Sequence, residues 1–204
     1  MNLIIIGPPG SGKGTQAKII AEKLNLFYLG SGDLARQLAQ NDSGIKDIVE
    51  KGDLVPEEVM TQYVEEYLEE NVKDFDNLLF DGYPRFLNQY QLLEEWLKTK
   101  GAVIDHVIYL NIPQEEVVRR ISARRMDKKT GEIYNLITNP PPEGVDNNLV
   151  HRTDDKPEVI KERMKVFIDN TYPVIEYAKS TGKLLEVDGT LPIEKVTQKI
   201  LESI

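Results

Sequence analysis

Five short apolar runs, each bounded by turn-forming residues, alternate along the chain with segments whose apolar residues recur at helical spacing. The runs cover residues 3–6, 26–29, 78–81, 107–111 and 184–187 and predict strands. Residues 12–24 predict a helix, and a second starts at Pro56 with Val59, Met60, Tyr63, Val64, Tyr67 and Leu68 on one face. A third carries Leu92, Leu93, Trp96 and Leu97, and a fourth follows Pro113 with Val117, Val118 and Ile121. Pro157, after Asp154-Asp155, marks a helix start ahead of Ile160, Met164 and Phe167. The last helix runs from Pro192 through Ile193, Val196 and Ile200. Such alternation predicts an α/β fold with a parallel sheet covered on both faces, where ligands bind beyond the carboxyl ends of the strands. Two stretches break the pattern. Residues 30–55 hold only short helical pieces, and residues 126–153 are Gly/Pro/Asn-rich, with Asn139-Pro140-Pro141-Pro142 and Gly144. Long irregular stretches in compact proteins are functional or disordered.

Composition narrows the class. With 204 residues, there is room for one α/β domain with insertions or for two small lobes. Apolar residues make up 40%, and none of the runs is long enough to cross a bilayer. The run 3–6 ends at Gly7-Pro8-Pro9-Gly10 and lacks a basic leader, so it reads as neither signal peptide nor anchor, and a soluble, cytoplasmic protein is expected. The absence of cysteine excludes disulfides, thiol catalysis and thiolate zinc sites. Two histidines, His106 and His151, argue against a histidine-rich metal centre. A net charge of −9 argues against non-specific nucleic-acid binding. A phosphate ligand would need the positive charge gathered in one cleft.

The chemistry-bearing motifs supply that concentration. Gly7-x4-Gly12-Lys13, between an apolar strand and a helix, has the Walker A arrangement. Its backbone N–H groups and helix N-terminus suit phosphate oxygens, and Lys13 reaches the β/γ-phosphates. Gly14 stands where a Ser or Thr is usual, and Thr15 follows. An ordinary glycine-rich turn is the alternative. Arginines then recur near predicted strand ends: Arg36 after Gly30-Ser31-Gly32-Asp33, and Arg85 in Asp81-Gly82-Tyr83-Pro84-Arg85. Arg120 and Arg124 are four apart and are expected on the fourth helix, flanking its apolar stripe, with Arg119 facing away. Arg152 precedes Asp154-Asp155, and Arg163 sits on the next helix. Planar guanidinium groups grip phosphate by two bonds and keep their charge when desolvated. Taken singly, each could be a surface turn, a solvated helix face or a partner for Glu162 or Asp169; together they favour a multi-phosphate site. Asp81, ending a strand, has the position of a magnesium-holding acid, and Asp33 is a second candidate.

Taken in order, these motifs resemble the adenylate kinase family. The resemblance rests on Gly7-x-Pro9-Gly10-x-Gly12-Lys13-Gly14-Thr15-Gln16, Ser31-Gly32-Asp33-x-x-Arg36, Asp81-Gly82-Tyr83-Pro84-Arg85-x-x-x-Gln89, Arg120-x-x-x-Arg124, Arg152-x-Asp154-Asp155 and Val187-Asp188-Gly189-Thr190. It implies a P-loop three-layer core with a five-stranded parallel sheet (residues 1–29, 56–122 and 156–204), a nucleoside-monophosphate lobe at 30–55 and a lid at 123–155. It implies the reaction of Mg·ATP with AMP to give two ADP, in a monomer that engages no nucleic acid or membrane. ATP would contact Gly10, Ser11, Gly12, Lys13, Gly14, Thr15, Arg120, Arg124, Tyr134 and Gly189. AMP would contact Ser31, Arg36, Val55, Gly82, Arg85, Gln89, Arg152 and Arg163. Lys13, Arg85, Arg120, Arg124, Arg152 and Arg163 would carry the transfer, with magnesium near Asp81 and Asp33 through water. Gln89 and Ser31 favour AMP over UMP or CMP. Many bacterial relatives staple the lid with a four-cysteine zinc site; here a zinc-free lid is expected, held by polar residues such as Asp127, Thr130, Asp146 and Asn147.

The acceptor is a phosphate oxygen ionised at neutral pH, so positioning and charge neutralisation suffice and no general base is needed. A lid that brings Arg124 and Arg152 inward would assemble the site and exclude water together. Two alternatives stay open: a kinase with another acceptor or with GTP as donor, and a P-loop nucleotide-binding protein without phosphoryl transfer.

Overall fold

The structure, a computed structural model, describes residues 1–145, 148–152 and 155–204. Asp146 and Asn147 of the expected lid network, and Asp154, lie outside the described residues. The first half of the chain runs β1 (Leu3–Ile6), α1 (Lys13–Leu24), β2 (Phe27–Gly30), α2 (Ser31–Asn41), α3 (Ser43–Lys51), α4 (Glu57–Asn71), β3 (Leu78–Asp81) and α5 (Leu87–Thr99). It continues through β4 (His106–Asn111), α6 (Gln114–Ser122), β5 (Arg124–Asp127), β6 (Ile133–Asn135) and β7 (Leu149–Val150). It closes with α7 (Pro157–Val166), a π-helical turn (Phe167–Thr171), α8 (Tyr172–Ser180), β8 (Leu184–Asp188) and α9 (Ile193–Ser203).

Five strands form a parallel sheet in the order β2-β3-β1-β4-β8. The twofold alternation of strand side chains divides the core into two layers. Leu3, Ile5, Leu79, Ile108 and Leu110 face α1 and α9, joining Ala17, Ile20, Val196 and Ile200. Ile4, Ile6, Leu78, Phe80 and Val107 face the other way, joining Val64 and Leu68 of α4, Leu93 of α5 and Val174 of α8. All four residues of β1 are buried, which is why its sequence is an unbroken apolar run. Truncating one of these buried side chains to alanine costs about 2–5 kcal/mol.

Several expectations are corrected. Strand two lies one residue later, over Phe27–Gly30. Val59, Leu92 and Val118, placed on apolar helix faces by periodicity, are exposed. Beyond Phe167, where sequence analysis named no element, a π-helical turn carries the chain into α8, with Pro173 in the first turn, where its missing N–H costs little. Arg124 is not on a helix. α6 ends at Ser122, where the Leu136 N–H donates to the Ala123 carbonyl (3.0 Å) and the Asn135 amide donates to that of Arg120 (2.9 Å), so Arg124 opens β5.

The two irregular stretches have structure of their own. Residues 30–55 contain α2 and α3, the latter capped by the Asp42 carboxylate, which accepts from the Gly44 and Ile45 N–H groups. Beyond α6 stands a separate antiparallel sheet in the order β6-β5-β7. Among the described residues no helix is long and apolar enough to cross a membrane.

Candidate active site

The loop from Gly7 to Gly12 leaves the carboxyl end of β1 and enters α1. Gly10 and Gly12 both have positive φ (76° and 91°), the left-handed region that glycine tolerates, and Gly12 caps the helix. The first turn of α1 holds Lys13, Gly14 and Thr15 and no acidic residue, so its unbonded N–H groups and positive dipole end face the cleft. The Ser11 hydroxyl is buried there without a partner. Gly189 closes the far wall: its N–H donates to the Asn111 carbonyl (2.9 Å), and a Cβ there would stand 3.4 Å from the Ser11 carbonyl oxygen. Arg120 lies along the same wall, with its guanidinium 3.4 Å from that oxygen and bonded to the Glu116 carboxylate (2.6 Å). Glu116 also accepts two bonds from Arg119, and these contacts, with Arg120 next, hold its carboxyl down at about 2.

Below the loop, Asp81 ends β3 and is paired in register with Gly30 of β2 and Ile5 of β1. Its Oδ2 accepts from the Tyr28 hydroxyl (3.0 Å), while Oδ1 is buried and unpartnered. Gly14 matters here for space rather than flexibility: a Cβ would stand 3.2 Å from Asp81 Oδ2. Burial pushes the Asp81 carboxyl up, against the pull of Lys13, the Tyr28 hydrogen bond and Arg85. Burial also pulls Lys13 down to about 7, Arg85 adding to the effect and Asp81 opposing it. Tyr28 is pushed far above the ordinary phenol range by burial and by Asp81, so it is a permanent donor.

A second, open cleft lies beyond β2 and β3. Ser31, Arg36, Val55, Gly82, Arg85, Gln89, Arg152 and Arg163 all line it. The Ser31 hydroxyl donates to the Gly82 carbonyl (2.7 Å). Arg85 Nε donates to the same carbonyl (2.6 Å), and its N–H to Gln89 Oε1 (2.9 Å), after a cis Tyr83–Pro84 bond. Gln89 Nε2 points at the Glu57 carbonyl (3.3 Å). Arg36 is paired with Asp33, and both are substantially exposed. A smaller cavity lined by Gly7, Pro9 and Lys13 shares Gly52, Leu54, Arg85 and Arg163 with this cleft. The phosphate loop and the second cleft therefore adjoin, with Lys13, Arg85 and Arg163 at the junction.

The remaining arginine comes from the antiparallel sheet. Arg124 Nε donates to Asp155 Oδ2 (2.9 Å) and its terminal nitrogen to Oδ1, a two-bonded pair in which Asp155 is almost wholly buried. Tyr134 pairs with Arg125 across β5 and β6, and its hydroxyl donates to Glu132 (2.7 Å). Asp127 accepts from the Lys129 N–H (2.8 Å) and Thr130 from that of Glu132 (3.2 Å), so both shape the β5–β6 turn. His106 opens β4, and Trp96 packs edge-on against Phe75.

Comparison with known proteins decides the family. A sequence model described as adenylate kinase matches residues 5–183. The chain belongs to the adenylate kinase family. It is 39% identical to the adenylate kinase of Thermosipho africanus, with 100% of this chain and 99% of that protein aligned. It is 42% identical to that of Fervidobacterium nodosum (100% and 97%) and 41% to that of Archaeoglobus fulgidus (98% and 96%). The alignments to the two bacterial enzymes run to 214 and 215 positions against 204 residues here, so those proteins carry residues this chain lacks.

Four site residues escaped sequence reasoning. Tyr28 reads as a strand residue until the β2–β3 register sets it beside Asp81. Glu116 reads as helix-surface charge, although its spacing of three and four from Arg119 and Arg120 was a usable signal. Asp155 was visible only as part of an acidic pair. Gln16, inside the phosphate-loop motif, turns inward instead: its amide donates to the Ile193 carbonyl (2.9 Å) and accepts from the Thr197 hydroxyl (2.7 Å), fastening α1 to α9.

Proposed function

We propose that this chain holds ATP in the Gly7–Thr15 cradle and AMP in the Ser31–Gln89 cleft, and transfers the γ-phosphoryl group between them to give two ADP. The activity is that of its family; the residue assignments are our own reading. One observation carries them: two clefts, one built for phosphate by backbone N–H groups and one lined by arginines, share the wall formed by Arg85 and Arg163. A nucleotide switch needs only the first.

In this reading the backbone from Gly10 to Thr15 receives the ATP phosphates, with Arg120 and Gly189 along the outer wall. Ser31, Val55, Gly82 and Gln89 face the AMP base and ribose, and Arg36, Arg85 and Arg152 hold its phosphate. Lys13, Arg124 and Arg163 converge on the group in flight. Because the attacking oxygen is already anionic, these side chains work by aligning two polyanions and offsetting their repulsion. Arg124 must exchange Asp155 for phosphate when the β5–β7 sheet, the proposed lid, closes over the 30–55 lobe and core. The site fits magnesium. The unpartnered, buried Asp81 Oδ1 is a hard oxygen suited to a hydrated divalent cation, with Asp33 nearby. Among the described residues no cluster of three acidic or histidine side chains could cage a metal, so phosphate oxygens and water would complete its shell. Magnesium, when bound, supplies charge neutralisation on the β- and γ-phosphates. No zinc is needed in the β5–β7 sheet.

Initial rates over a panel of donors (ATP, GTP) and acceptors (AMP, UMP, CMP, GMP), with and without magnesium, test this reading. ADP should form fastest from ATP with AMP and only with magnesium present. A chain that binds ATP yet makes no ADP with any acceptor would overturn it.

A further inference from the structure

Tyr28 belongs to no phosphate or nucleotide contact described above, yet its hydroxyl reaches the most shielded carboxylate of the site. In the parallel register Tyr28 is opposite Leu79 and Gly30 opposite Asp81. Tyr28 and Gly30 are two apart in β2 and share one face of the sheet. The phenol lies forward over Gly30, and a Cβ at Gly30 would stand only 2.6 Å from the Tyr28 hydroxyl oxygen and 2.9 Å from Asp33 Oδ2. The hydroxyl thus occupies the space a side chain at position 30 would fill. It has Asp33 on one flank and its hydrogen-bond acceptor, Asp81 Oδ2 at 3.0 Å, on the other. Asp33 is turned to Arg36 by its other oxygen. A phenol O–H has a single proton to give, and here it goes to Asp81. One carboxylate oxygen is thereby fixed, while Oδ1 stays buried and unpartnered.

We infer that Tyr28 is a positioning residue for the metal-anchoring carboxylate, its hydroxyl fixing Asp81 Oδ2 so that Oδ1 stays available to the magnesium water shell, and that Gly30 is required to admit it. This rests on the magnesium role proposed above for Asp81. Orientation by an outer partner is a general means of tuning metal ligands, and loss of such a partner typically lowers metal affinity 10–100-fold for directly bound metals. A water-mediated anchor should respond less, by about three- to tenfold.

The test uses the full chain with two substitutions: Tyr28→Phe keeps the ring and removes the donor, and Gly30→Ala keeps the donor and displaces it. Mn2+ is titrated into protein saturated with a bisubstrate dinucleotide of two adenosines joined by five phosphates, and free Mn2+ is read by its electron paramagnetic resonance signal. The expected result is at least threefold weaker Mn2+ binding in Tyr28→Phe and Gly30→Ala, with dinucleotide affinity in the absence of metal within twofold of wild type. The magnesium concentration for half-maximal ADP formation should rise in parallel, with the KM for AMP unchanged. Mn2+ binding less than threefold weaker than wild type in either folded variant that has lost or displaced the donor would overturn the inference while leaving the enzyme's activity intact. A wild-type chain that forms no ADP from ATP and AMP would overturn the functional reading, and this inference with it.

Discussion

In the proposed reading the phosphate loop and the β5–β7 sheet supply cationic groups to the same reaction, and the structure holds them by different forces. The loop is the seam between a fully buried strand and a helix that packs against the sheet and α9, so its backbone N–H groups are held by the core itself. Among the described residues, the β5–β7 sheet has three short strands and offers ladder hydrogen bonds, a turn shaped by Asp127 and Thr130, and the buried ion pair Arg124–Asp155. Leu136 and Ile137, which follow β6 beside the end of α6, are exposed. In the proposed reading, a cradle held by the core beside a lightly fastened arm would let the second half of the site be assembled on demand.

Substitutions that strike one side only break or sharpen this contrast. Lys13→Met should have the largest effect, lowering kcat by at least 10³, the scale on which cationic groups act in phosphoryl transfer. It should nevertheless raise Tm in the empty protein by about 2–4 °C. The sign follows from linkage. Lys13 sits near 7 when folded against 10.5 when free, so the unfolded chain binds the extra proton between those values, and burying this lysine is a cost that shrinks as pH rises through that window. Steady-state rates and calorimetric melting at pH 7 check both halves.

Arg124→Ala should come next, with kcat at least a hundredfold lower and the core melting unchanged within about 2 °C. A drop below fivefold would mean Arg124 does not meet the transferring group. Asp155→Asn should be milder, about tenfold in kcat, because the guanidinium remains but loses its two-bonded guide. Amide exchange should then report faster opening of residues 124–127 and 133–135 with β1 and β3 unaffected. Uniform acceleration would show that sheet and core unfold together.

The smallest effect is a proton count. Polyphosphate bound against Lys13 must raise its pKa, so dinucleotide binding should take up almost no proton at pH 5.5, about half a proton at pH 7 and more toward pH 8.5. Calorimetry in buffers of different ionisation enthalpy reads this directly. Proton release, or uptake independent of pH, would place Lys13 outside the phosphate contacts.

The rigid side was also the legible side. β1, β3 and β4 are apolar runs because both sheet faces are covered, and the loop after β1 must be glycine-rich to turn its N–H groups toward a ligand. The β5–β7 side was less readable. Arg120 and Arg124 have helical spacing, but the helix is ended between them by hydrogen bonds from Asn135 and Leu136, residues whose proximity no local pattern encodes. α8 hid behind Pro173, which normally marks a stop and here is absorbed by the π-helical turn. Tyr28 and Asp155 acquire their roles from pairing across long separations, Tyr28 with β3 and Asp155 with β5.

The bond between Gln16 and Thr197 ties together residues separated by nearly the whole chain, and Gly189 seals the same cradle from the same direction. Such long loops close late and slowly. Intermediates lacking β8 and α9 would present the glycine-rich motif without its back wall, so competence to capture nucleotide should emerge as one of the final events of folding.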